Sequence, residues 1–469
     1  MTNAPPSQIL SDLWSAGGGE PAALESVTLT GAEPALPSSF RVGAAAQASI
    51  AAAGLAAAEL WRQRTGRSQA VAVDMRHAAI EFRSERYMRL AGQPPAAMWD
   101  KIAGVYRTAD GRWVRLHTNF PHHRDGILKL LACAYEREAV QAALLKWQAE
   151  AFETAAAEAK LVATMMRSPA EWAAHAQGQA VARLPLIEII KIGECPPRRL
   201  PAGDGERPLS GVRVLDLTRV IAGPVCGRTL AAHGADVMRV TGPHLPGLEW
   251  LDADTGRGKL SAELDLRAGE ERERLAGLLR EAHVFVQGYR PGGLAKLGFS
   301  PEACAEMRPG MVVVTLSAYG HEGPWAGRRG FDSLVQTASG LNHAEAEAAG
   351  VEGPKELPAQ AIDHATGYLM AFGTMMALER KAREGGSWHV RVSLAQTGRW
   401  LTGLGRLERG FAAPDPKQAD VADLLDEMDT PMGRLTYVRH AALLSETPAH
   451  WSRAPARLGA NAPMWPEPD

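Results

Sequence analysis

The chain has no excess of either charge: 51 lysines and arginines nearly balance 53 aspartates and glutamates. A protein that coats nucleic acid carries a basic excess, so that class is set aside. Long apolar runs are also missing. Nothing approaches ~18 uninterrupted apolar residues, so no membrane-spanning segment is expected. The opening MTNAPPSQIL lacks the basic start and apolar stretch of a secretory signal. Cysteine is scarce. Cys133, Cys195, Cys226 and Cys304 lie far apart with no CxxC, the pattern of reduced thiols in a cytoplasmic protein. No metal is expected. His117, His122 and His123 could form a ligand cluster, but they read as surface residues at a strand end. GxGxxG is absent as well, so a nicotinamide cofactor is not the first expectation.

The most informative stretch present is Pro208 to Val240, PLSGVRVLDLTRVIAGPVCGRTLAAHGADVMRV. An apolar run through Val212, Val214, Leu215 and Leu217 stops at Ala222-Gly223-Pro224. An amphipathic segment follows to Gly234, then a second apolar run from Val237. This reads as strand, tight turn, helix and strand. The turn sets small residues and free N–H groups at a helix start, where negative groups are favoured.

The clearest linker is CPPRRLPAGDGERP from Cys195 to Pro208. The expected organisation is a loose lead (1–40), a first unit with a small α+β domain (41–195), a linker (196–207), a nucleotide-type domain (208–400) and an extension packing back (401–469). In the first unit, Val42 to Arg64 reads as an alanine-rich helix and Ala70 to Met75 as a strand. Asp110-Gly111 reads as the turn of a hairpin over Tyr106 to Thr118. Strands and helices alternate in the second unit, with a long apolar helix from Ala365 to Arg383 and a strand over His389 to Leu394. The expected fold class is α/β, a doubly wound, mostly parallel (Rossmann-like) sheet.

The two units echo each other. A shift of 319 aligns Gly54 with Gly373, Gly66 with Gly385, Ser68 with Ser387, Val71 with Val390 and Val73 with Val392. Asp363 then falls on Ala44. Aspartate is a favoured helix N-cap, which by itself accounts for Asp363. The alternative is a carboxylate at a helix start, facing small and apolar residues, that attacks an activated acyl group. Alanine at the related position implies that such a helix forms without that cap. Ser317-Ala318-Tyr319-Gly320 and Tyr289-Arg290-Pro291-Gly292 follow strands at their carboxyl ends, where ligands of open α/β sheets bind. Arg290, Lys259 and Lys296 are candidates for phosphate contacts, and Arg328-Arg329 is a solvated or ligand-facing pair. Cys226 reads as inert packing.

From Pro208 to about Gly403 the sequence resembles the class III CoA transferases, the formyl-CoA and carnitine type, with α-methylacyl-CoA racemase among their relatives. Five segments carry the likeness: LSGVRVLDLTRVIAGPVCGRTLAAHGADVMRV, GRGKLSAELDL, VQGYRPGGLAKLGF, LSAYGHEGPWAGRRGFDSLVQTASGL and AIDHATGYLMAFGTMMALERKAREGGSWHVRVSL. The resemblance implies that Asp363 attacks an acyl-CoA thioester. A mixed anhydride and then an aspartyl-CoA thioester follow before CoA passes to an acceptor acid. It implies CoA contacts at Ile221, Ala222, Lys259, Gly288, Tyr289, Arg290, Lys296, Ser317, Ala318, Tyr319 and Gly320. CoA and acyl-CoA would be substrates with no permanently bound cofactor, and the partners would be acyl-CoA, a carboxylic acid and a second copy in a homodimer. Thr241-Gly242-Pro243 stands where the family has an acidic and often a basic residue, and QGYRPG replaces ENFRPG. The segment resembling the family's small domain lies upstream, so the parts are in rearranged order. Two other functions remain open: a racemase, whose histidine is replaced by Phe331, with His364 as a substitute, and a CoA-binding protein without turnover.

Overall fold

A computed structural model describes residues 4–95, 98–201 and 205–466. The N-terminal lead, expected to be loose, is packed. Helix α1 (Pro6–Ala16) buries Ile9, Leu10, Leu13 and Trp14, and that apolar stripe is what fixes it. Strand β1 (Val27–Thr30) runs parallel to β2 (Val71–Asp74). Between them, α2 (Val42–Thr65) is made largely of alanine and stops at Gly66, which takes a left-handed φ of 74°. This helix is long and apolar enough to cross a bilayer, yet 94% of its apolar window is buried inside the protein. After β2, α3 (Met75–Glu81) leads into a single helical turn, Ser84–Tyr87. Strands β3 (Gly104–Arg107), β4 (Trp113–Leu116) and β5 (Ala163–Met165) form a small antiparallel sheet.

The main sheet has seven strands. In chain order they are β6 (Glu188–Gly193), β7 (Arg213–Leu217), β8 (Asp236–Thr241), β9 (Lys259–Glu263), β10 (Val284–Gln287), β11 (Val312–Ser317) and β12 (Ser387–Ser393). Across the sheet the order is β9-β8-β7-β10-β11-β12-β6. The first six are parallel, and β6 is antiparallel to β12. A boundary at residue 195 therefore cuts the sheet, because β6 precedes the linker. The strands alternate. Val214, Val237, Val284 and Val312 face one apolar cluster, and Leu215, Met238, Phe285 and Val313 face another. Helix α4 (Ala222–Ala232) serves the first cluster and α5 (Gly269–Glu281) the second. Both faces are thus covered, which is what a parallel sheet requires.

Helix α6 (Asp332–Ala338) is followed by the long α7 (Ala361–Glu384), and α8 (Leu394–Gly403) follows β12. The offset of 319 relates the starts and ends of α2 and α7, and the starts of α3 and α8. The two long helices pack on each other. The C-terminal segment returns to the first unit, where β13 (Ala442–Leu444) pairs with β2.

Candidate active site

The chain leaves β7 toward one side of the sheet and returns at β10 to build the other. Strand order reverses between these neighbours, and the crevice outside their carboxyl ends is where open α/β sheets bind ligands. Thr218 to Ile221 follows β7. Val220 there holds a φ of 75°, an outlier for a β-branched residue and a strain of about 1–3 kcal/mol. Gly288 follows β10, and its N–H donates to the Leu217 carbonyl at 3.3 Å.

Helix α7 aims its first turn at this crevice. Its N-cap is Gln360, with no side-chain cap bond. The cap comes instead from Asp332, whose Oδ2 accepts from the N–H groups of Ile362 at 2.9 Å and Asp363 at 3.0 Å. The Asp363 carboxyl is therefore released from capping. It is only 6% exposed and faces a pocket of about 50 Å³ lined by Val220, Ile221, Trp99, Trp250, Phe331 and Arg86, among others. That volume holds a few waters. One turn along α7, Gly367 permits the close approach. A methyl built there would lie 2.6 Å from the Ala222 carbonyl oxygen and 2.7 Å from the Val225 Cβ.

Electrostatics sets this carboxyl apart. Burial, then the negative charges of Asp332 and Glu85, push the Asp363 pKa well up. Burial also lifts Asp332, to about 6, although three donors and His364 oppose it. Glu85 is equally buried; desolvation pushes its carboxyl up, but the bond from His364 and the charges of His364 and Arg86 together hold it below its ordinary value. His364 Nε2 lies 3.0 Å from Glu85 Oε2, and its ring stacks on Phe82, so it is engaged behind the pocket.

The first unit supplies the opposite wall. Arg86, Met98, Trp99, His117 and Asn119 all line the Asp363 pocket, so both units of the chain contribute to it. His117 and His123 are buried, which corrects their expected surface placement. The His117 ring stacks on Phe331 with centroids 4.0 Å apart, and neither ring nitrogen has a partner among the described residues. Burial, Arg115 and His123 push its pKa down to about 3, so it is neutral.

The residues expected at the site divide into groups. Ile221 lines the Asp363 pocket and Ala222 packs on Gly367. Tyr289, Ser317 and Gly320 line a second cleft of about 230 Å³ at the carboxyl ends of β10, β11 and β12. Gly288, Arg290 and Lys296 are exposed. The Ala318 carbonyl accepts from the Ala395 N–H at 2.9 Å. The Tyr319 ring is buried beside Trp172 and Trp325. Lys259 lies beneath the turn. It is 2% exposed, and its Nζ meets Asp216 and the Pro224 carbonyl at 2.8 Å each. Sequence reasoning missed Glu85, Arg86, Trp99, His117 and Trp250. It also passed over Asp332 as a cap, although an acidic residue inside the GFDSL motif was a usable signal.

The CoA-transferase family III model matches residues 22–189 and 209–420. The chain belongs to CoA-transferase family III. Within the family it is similar to the acyl-CoA transferase of Gibberella moniliformis, at 31% identity over 64% of this chain and 58% of that one. It is also similar to the acetyl-coenzyme A transferase nodX of Hypoxylon pulicicidum (30%, covering 64% and 54%). The succinate–glutarate CoA-transferase of Agrobacterium fabrum is 32% identical over 40% of this chain and 51% of its own length. Among solved structures, Rv3272 from Mycobacterium tuberculosis aligns at 31% identity with a TM-score of 0.39, over 42% of this chain and 58% of that one. The chain spans a little over half the length of the curated relatives it matches.

Proposed function

We propose that this family III member moves CoA from an acyl-CoA thioester to a carboxylic acid, with Asp363 as the covalent nucleophile. The observation that carries the reading is the Asp363 carboxyl itself. It is uncapped, buried in an apolar pocket and set beside the Val220–Ala222 turn at the point where strand order reverses. In the ionised form it attacks the thioester carbonyl; an O–C bond forms, the C–S bond breaks, and CoA thiolate leaves. The thiolate then attacks the Asp363 Cγ and expels the donor acid, leaving an aspartyl-CoA thioester. The acceptor carboxylate attacks that carbon, and the returning thiolate takes the new acyl group and frees Asp363. Removing water from the pocket strengthens the nucleophile and protects the anhydrides from hydrolysis.

In this reading the sheet is the doubly wound, Rossmann-like type, with CoA lying across the switch point. Ile221, Ala222, Gly288, Tyr289 and Arg290 contact it there, Lys296 meets a phosphate, and Ser317 to Gly320 lines the cleft. Lys259 acts indirectly, by holding Asp216 and the turn. We further propose a homodimer in the cytoplasm. The relatives named acyl-CoA transferase and succinate–glutarate CoA-transferase support an acyl-CoA donor and a carboxylate acceptor. The test is a panel of acyl-CoA donors with succinate and other acceptor acids, each run beside Asp363→Ala. CoA transfer that the substitution abolishes supports the reading, and transfer that survives it refutes the role of Asp363.

One observation favours a second reading, racemisation at the α carbon. His117 stands on Phe331 in the same pocket as Asp363 with free ring nitrogens, and an acid–base pair is what that chemistry needs. It replaces His364 as the candidate. Deuterium entering the α position of an acyl-CoA with no acceptor acid present identifies this activity.

A further inference from the structure

At the opposite end of the main sheet, before the amino ends of β10 and β11, lies a cavity of about 440 Å³ lined by Arg198, Arg199, Arg280, His283, Arg308 and Lys381, with Pro201, Met307 and Pro309. Five cationic side chains converge on it, and no acidic residue lines it among the described residues. Lys381 is only 6% exposed, and among the described residues its ammonium has neither a hydrogen bond nor an ion pair. A buried, unpaired charge is costly and normally has a partner. Burial, then Arg308 and Arg198, bring the Lys381 pKa down to about 8.

The bland account is that Arg280, Arg308 and Lys381 end helices, where cations are favoured. That explains Arg308, whose Nη1 donates to the Arg280 carbonyl. It leaves Arg198, Arg199, Arg280 and Lys381, which make no such bond and pair with no carboxylate among the described residues. His283 adds a further donor. Its Nδ1 accepts from the Arg213 N–H at 3.0 Å, so in the neutral ring the proton sits on Nε2. Every polar side chain around the cavity therefore donates.

We propose that this cavity binds a small multivalent anion. Guanidinium forks match phosphate and carboxylate oxygens in pairs. The volume is that of a small-molecule site. Among the described residues no phenylalanine, tyrosine or tryptophan lines it, so recognition rests on charge more than on stacking a base. The site is separate from the Asp363 pocket, since Lys381 lies about 27 Å further along α7.

The test is calorimetric titration of the full chain with inorganic pyrophosphate and, separately, with citrate, each without CoA and again under saturating CoA to block the other phosphate site. Saturable binding of pyrophosphate alone identifies a phosphate ligand. Binding of citrate alone or of both identifies a polycarboxylate or a general multivalent anion. Affinity should fall at least tenfold in Arg199→Gln/Arg280→Gln, whose side chains are exposed, and in Lys381→Met, with the melting temperature followed as a control. The proposal is overturned by absence of saturable binding, by equal binding in the variants, or by binding that vanishes when CoA is present. These outcomes do not depend on acyl transfer, so failure here leaves the role of Asp363 untouched.

Discussion

Asp332 caps the helix that Asp363 would otherwise be left to cap. Its Oδ2 takes the N–H groups of Ile362 and Asp363, and it is one of the charges that raise the Asp363 pKa. Replacing Asp332 with asparagine keeps an acceptor for the helix but removes the like charge. The inflection of kcat/KM against pH should then move to lower pH, by roughly one unit. Asp332→Ala also loses the cap and should cost about 1–2 kcal/mol of stability. An unchanged pH profile in the asparagine variant contradicts this coupling.

Stability should carry the same signature. A carboxyl whose pKa is raised on folding stabilises the protein fully below its unfolded value, near 3.9, and that stability is lost as pH rises through the folded value. Asp363→Asn removes this penalty. Its melting temperature should match that of the parent near pH 4 and exceed it at pH 8, by ~2–4 °C per kcal/mol at most in a chain this long. Thermal melts at the two pH values check the sign. A variant less stable at pH 8 than at pH 4, relative to the parent, contradicts it.

Gly367 sets the distance between α7 and the turn. In Gly367→Ala the new methyl meets the Ala222 carbonyl, a backbone atom that cannot rotate away. A loss of about 1–3 kcal/mol is expected, together with weaker CoA binding, because Ala222 belongs to the proposed contact surface. Denaturant titration and CoA calorimetry read the two effects.

Lys259 separates structural support from direct phosphate contact. Its ammonium is held by Asp216 and the Pro224 carbonyl. Lys259→Met leaves Asp216 buried without its charge partner, which should cost about 3–5 kcal/mol. A variant of unchanged stability whose CoA affinity alone falls identifies a ligand contact instead.

Local signals carried much of the fold. The helix–glycine–strand unit, with Gly66 and Gly385 after the long helices, was legible because glycine stops and apolar strands are written within a few residues. The Asp110-Gly111 hairpin was legible for the same reason. Contacts between distant segments were not. Nothing local told that β6 would join the main sheet as its antiparallel edge, or that Trp14 would be buried under Phe372. The site follows the same division. Asp363 and Ile221 stood in motifs, whereas Arg86, Trp99 and His117 reach the pocket only because the first unit folds against the second. Lys259 stayed ambiguous because a lysine in a strand looks the same whether it meets a phosphate or a buried aspartate.

The most direct measurement of the central claim is mass spectrometry of the protein after incubation with its acyl-CoA donor and hydroxylamine. Capture of the activated carboxyl should place a hydroxamate on the peptide bearing Asp363, 15 Da heavier than the free acid, and none in Asp363→Ala. An unmodified Asp363 peptide during active turnover, or a hydroxamate on another carboxyl, contradicts the account.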